Sequence, residues 1–198
     1  MTQVTESDYR KAQQFGGRQE FIDAIDLGDL GKLVNRRVYV PFTRKEDEPH
    51  LMTLTAQIDL KDFNLEGTVL KVFKRAFEEQ FYFFMNCMLL HEGHHARQYQ
   101  GRECRVFGTD ILKAHNDELF SYRSNVVEIP AYLNQLTAKS NFPLRWLDRV
   151  RYYLHLQGLD SSMKSQAKKF GQDWKKDLSK VLCPSPYDDI VRERYGVD

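Results

Sequence analysis

Long apolar runs are what this 198-residue sequence most lacks: the longest, "FYFFMNCMLL" from Phe81 to Leu90, has about half the length needed to cross a bilayer. A membrane span is therefore not expected, and the run reads as a buried helix. Charge of one sign is also missing. With 29 Lys+Arg against 28 Asp+Glu the formal net charge is +1, so overall charge points to no polyanion and no nucleic-acid partner is expected. Cysteine is scarce: Cys87, Cys104 and Cys183 are widely spaced without a CxxC pair, which argues against a disulfide framework and a thiolate zinc knuckle. The opening "MTQVTESDYRKAQQFGG" has no apolar signal-peptide core, so a cytoplasmic location is expected. Internal repeats and low-complexity tracts are absent as well.

What is present suits a folded α+β chain. The composition is 41% hydrophobic and 13% aromatic, enough for a sizeable core at this length. A single domain in three parts is expected: about 1–64 as helix, turn and sheet, about 65–140 as the central helices, and about 141–198 as C-terminal helices. Glu6 to Leu33 reads as helix and turn. "RRVYVPF" and "HLMTLTAQIDL" have strand character, and the polar "TRKEDEP" between them suits a hairpin loop, which predicts a small antiparallel sheet.

From about Leu65 to Gln100 the pattern reads as helical, with Phe77, Phe81, Phe84, Met88, His91 and His95 recurring at steps of three and four on one face. Breaks are expected at Gly101 and Gly108. A second helix then runs from about Leu112 to Thr137 with Pro130 inside it, followed by amphipathic segments at Leu144 to Gln157 and Ser162 to Leu182 and a short terminal helix. The lysines of "MKSQAKKFGQDWKKDLSK" are mixed with Asp173 and Asp177, so they read as a solvated helix face.

The chemistry concentrates in "HEGHH", His91 to His95, which matches H-E-x-x-H. Four residues along an α-helix rise about 6 Å and turn about 40° past a full turn, so the imidazoles of His91 and His95 project side by side and can share one metal ion. Glu92, about 100° around the helix, is placed as a proton acceptor rather than a ligand. Zinc suits neutral imidazoles, and a catalytic zinc takes a third protein ligand. Glu103, Asp110, His115, Glu118 and Glu128 are the downstream candidates. Glu128 is preferred, because it follows a loop long enough to reverse the chain and its small neighbour Ala131 allows close helix approach. His94 points away from His95 and reads as solvated or supporting; Cys87, one turn before His91, reads as a small buried hydrophobe.

His91-Glu92-Gly93-His94-His95, followed by Glu128-Ile129-Pro130-Ala131-Tyr132, resembles the gluzincin class of zinc metallopeptidases, the broad thermolysin-like group, in a small single-domain form. The resemblance implies His91, His95 and Glu128 as ligands of one zinc ion and Glu92 as general base in hydrolysis of a peptide or protein substrate. It also implies a zincin-like fold, with a sheet packed on the active-site helix. The metzincin pattern is excluded, because it needs glycine at Gln98 and histidine at Gly101. The aspzincin context is one residue short at "GTD", which leaves Asp110 as the second choice for the third ligand. An oxyanion donor is to be sought among Tyr132, Tyr122, Arg123, His94 and His115. The rival to a peptidase is a catalytically inactive relative that binds or regulates, with the zinc serving structure. Retention of Glu92 argues for catalysis, since a structural site needs no base.

Overall fold

The computed structural model describes residues 4–42, 50–112 and 117–198. The expected hairpin loop at Thr43 to Pro49 and the candidate His115 lie outside them. The N-terminal helices are α1 (Glu6–Phe15) and α2 (Arg18–Ala24), followed by a 3-10 turn at Gly28–Lys32. A capping box starts α1: Asp8 N–H donates to Thr5 Oγ1 at 3.3 Å, and Thr5 N–H donates to Asp8 Oδ2 at 3.0 Å. Tyr9 on its inner face buries its ring among Phe21, Phe77, Phe81 and Phe84.

The sheet holds β1 (Arg36–Val40), β2 (Met52–Ile58) and β3 (Leu65–Phe73) in the order β1-β3-β2. Two expectations are corrected here. The sheet is mixed, because β1 runs parallel to β3, Arg36 opposite Val69, while only β2 is antiparallel to it, Leu54 opposite Leu70. And Leu65–Phe73 is a strand. Its apolar spacing also fits a helix, but β-branched Val69 and Val72 suit a pleated sheet, and Leu70 and Val72 are buried in its centre. Alternation identifies a strand without naming its neighbour. Asn35 does that here, its N–H donating to the Thr68 carbonyl and its Oδ1 accepting from Thr68 N–H.

After a 3-10 turn at Lys74–Glu78 the site helix begins as α3 (Phe81–Asn86), passes through a π-helical segment at Cys87–Glu92, and continues as α4 (Gly93–Gln98). The chain bends at Gly101 into α5 (Arg102–Leu112), then α6 (Asp117–Thr137). Gly108, expected as a break, lies inside α5, which Cys104 and Phe107 anchor in the core. The C-terminal part is α7 (Trp146–Phe170), α8 (Trp174–Lys180) and α9 (Asp189–Tyr195). One helix therefore replaces the break expected near Gly158. Leu156, Met163 and Ala167 bury one face, and that packing outweighs the roughly 1 kcal/mol cost of an interior glycine. Lys164, Lys168, Lys169, Lys175 and Lys176 are exposed.

Core residues fall into two groups, one joining α1, α2, the sheet and α3, the other joining α5 to α9. The site helix lies along their seam. Among the described residues no helix is long and apolar enough to cross a membrane.

Candidate metal centre

His91 lies in the last part of the π segment and His95 one turn on. Gly93 N–H reaches back five residues to the Met88 carbonyl, the mark of a π turn, and such widened turns leave a backbone group without its helical partner. Asn134 of α6 donates to the Leu90 carbonyl at 2.8 Å, so the widened turn is braced from the opposite helix. The two imidazoles stand 4.9 Å apart between ring centres, side by side as the spacing predicts.

Glu128 comes across from α6. Its Oε2 lies 3.2 Å from His91 Nε2 and its Oε1 3.5 Å from His95 Nε2. The three residues offer ligand atoms within 4.8 Å of one another, a group that could hold a metal ion. Among the described downstream candidates, Glu128 alone stands beside the two imidazoles. Asp110 turns its carbonyl to Arg123, Glu118 pairs with Lys169, and neither these two nor Glu103 reaches the cleft.

The tautomer of His95 follows from its neighbour. Gln98 Nε2 donates to the Val127 carbonyl at 3.1 Å, which turns Gln98 Oε1 to His95 Nδ1 at 2.7 Å. An amide oxygen only accepts, so Nδ1 carries a proton and the neutral ring presents its Nε2 lone pair to the centre. Burial works against a charge on His95, but the Glu128 carboxylate, the largest favourable cause, holds its pKa up at about 9. Burial likewise works against the Glu128 carboxylate, and His95 and His91 hold it well below the usual range. In the absence of a cation, a proton occupies its place between these groups.

Glu92 is buried, and its Oε2 accepts from the Leu54 backbone N–H of β2 at 2.8 Å. Leu54 N–H therefore faces away from β3, and alternate residues of this edge strand turn their backbone groups toward the same cleft. The cleft measures about 910 Å³ and is walled by β2 on one side and by Tyr152 and His155 of α7 on another. Tyr132 stacks edgewise between His91, at 4.6 Å, and His155, at 4.9 Å. Burial, then the Glu128 charge, pushes the Tyr132 hydroxyl upward, so it stays a proton donor.

Of the expected oxyanion donors among the described residues, Tyr132 alone lines the cleft. Tyr122 is buried and donates to Asp177 Oδ2 at 2.8 Å, and Arg123 is engaged with the Asp110 carbonyl. His94 corrects the expectation of a solvated ring: it is fully buried on the far side of α4 against Cys183 and Asp188. Cys87 is buried in the cleft wall, and burial pushes its thiol up to about 12. Sequence reasoning missed His155, Tyr152, Gln98 and Asn134. Only Tyr152 and His155, three residues apart on one helix face, left a visible signal.

No protein-family model matches the chain, and comparison with curated proteins and with solved structures finds no match.

Proposed function

We propose that the chain is a zinc-dependent peptidase with a zincin-like arrangement, in which His91, His95 and Glu128 hold the metal and Glu92 is the general base. The observation that carries this reading is the placement of both Glu128 oxygens against the Nε2 atoms of His91 and His95, with Glu92 fixed beside them at the floor of an open cleft. A structural zinc site is normally closed by four protein ligands, whereas three ligands opening onto a cleft suit a catalytic one. When bound, zinc supplies Lewis acidity and lowers the pKa of water at the site.

The protein's own groups account for the rest. Glu92, oriented by Leu54 N–H, takes a proton from the attacking water and can deliver it to the departing amine. The exposed edge of β2 offers an extended peptide backbone hydrogen bonds next to that carboxylate, which favours a peptide over a compact small molecule. Tyr132, kept protonated, is the donor best sited for the oxygen that gains charge, and His155 stands behind it. The three buried, unpaired cysteines fit a reducing compartment such as the cytoplasm.

The test is incubation of zinc-replete protein with a degenerate peptide library, read by mass spectrometry beside Glu92→Gln. The reading expects discrete cleavages from the wild type and none above background from the variant. Equal cleavage by both, or none by the zinc-replete wild type, refutes it; the second outcome favours a binding role for the same cleft.

A further inference from the structure

A second group of metal-ligating side chains lies behind α4. His94 projects from the opposite side of the helix to His95, Cys183 follows α8, and Asp188 immediately precedes α9. Their side chains are shut off from solvent, at 0%, 1% and 0% exposure. His94 Nε2 lies 3.2 Å from Asp188 Oδ1 and 3.7 Å from Cys183 Sγ, and the three donor atoms fall within 4.8 Å of one another.

Hydrogen bonding accounts for this arrangement only in part: the Cys183 thiol lies within reach of His94 Nε2 and of the His94 carbonyl, the latter at 3.8 Å. Asp188 Oδ2 accepts from the Cys183 backbone N–H, but Oδ1 is buried without a hydrogen bond although an imidazole nitrogen is 3.2 Å away. Orphaned polar atoms of this kind are costly unless something else satisfies them. A nucleophilic Cys-His-Asp triad is equally unsuited, because all three side chains are shut off from solvent and thiol and carboxylate address the same ring nitrogen, whereas a triad uses both nitrogens.

A cation resolves the geometry. Around a tetrahedral zinc, with bonds of about 2.0–2.2 Å to nitrogen and oxygen and about 2.3 Å to sulfur, the N···O edge is about 3.3 Å and the N···S edge about 3.6 Å. The observed separations are 3.2 and 3.7 Å. Thiolate with imidazole selects zinc over magnesium or calcium. We propose that His94, Cys183 and Asp188 form a second, buried zinc centre that ties the C-terminal segment to the site helix. Three side chains leave a fourth position for water or a backbone oxygen. Arg192 steadies the loop that supplies the ligands, donating to the Cys183 carbonyl at 2.9 Å. This centre does not depend on the peptidase reading.

Cobalt(II) loading of the tag-free full chain tests it, because thiolate ligation gives a near-ultraviolet charge-transfer band that a His-His-Glu site lacks. The wild type should show the band and take up one equivalent of metal that depends on Cys183. The band should persist in His91→Ala and in Cys87→Ser/Cys104→Ser, which keeps Cys183 as its only cysteine, and disappear in Cys183→Ser as uptake falls by one equivalent. A wild type without the band overturns the proposal, as does a band that survives Cys183→Ser or is lost from Cys87→Ser/Cys104→Ser. Should Cys183→Ser fail to fold, the wild type and the double variant still decide.

Discussion

Glu92 and Gln98 are close along the site helix, yet their substitutions should separate chemistry from metal affinity. Glutamine at Glu92 keeps an oxygen to accept the Leu54 N–H but loses the basic carboxylate. Glu92→Gln should therefore retain metal and melting temperature while turnover falls about 10²- to 10⁴-fold. Removing the amide in Gln98→Met frees the His95 ring from its orientation, and metal affinity should drop about 10- to 100-fold in a competition titration. A third expectation concerns pH. The pKa of His95 in the metal-free folded protein is raised from 6.5 to about 9, so the stability it contributes is complete below about pH 6.5 and is lost as pH rises to about 9. Glu128, lowered from 4.5, contributes stability above that value that is lost on acidification. The melting temperature of chelator-treated protein should fall between pH 6.5 and 9, and less so in His95→Gln; a flat profile in the unsubstituted protein contradicts the pairing. His91, Glu92 and His95 were legible because helix pitch alone brings i and i+4 together. Gln98 was not, since its role depends on the Val127 carbonyl of another helix.

The site helix is held in place by close approach at Gly93. A Cβ there would meet Leu30 Cδ1 at 2.5 Å, and Leu30 is the buried residue of the 3-10 turn at Gly28–Lys32. Gly93→Ala should cost about 1–3 kcal/mol in denaturant unfolding. Combined with Leu30→Ala the two losses should be less than additive, because the smaller neighbour removes the clash. Full additivity would mean that the contact is not the cause. At this scale the sequence was partly misleading. The helix carrying "HEGHH" is readable from periodicity, whereas Glu6 to Leu33 reads only as helix and turn. β3 reads as helix in sequence because Leu65, Val69, Val72 and Phe73 satisfy a helical spacing as well as a strand, and the parallel pairing of β1 rests on long-range contact through Asn35. The π segment left no sequence signal, because its widened turn is supported by Asn134 from α6.

Across the whole molecule, the candidate centre spans two core groups: the site helix is rooted in the N-terminal one, and Glu128 extends from the C-terminal one. An ion bound there links both halves. Zinc present at about 100 times its Kd should stabilise the fold by about 2.7 kcal/mol, and chelation should remove that gain from the denaturant midpoint. The cleft wall was the least legible part at this scale. His155 and Tyr152 reach Tyr132 only because α7 docks along α6, a tertiary event that spacing within the chain does not encode.

The most direct measurement is zinc per chain by plasma mass spectrometry on the tag-free protein, after zinc loading and removal of free metal, beside His95→Ala and Glu128→Ala. The His91, His95, Glu128 centre predicts the loss of one equivalent in each variant, with the remainder unchanged. Variants that hold as much zinc as the wild type, or a wild type that holds none, would contradict it.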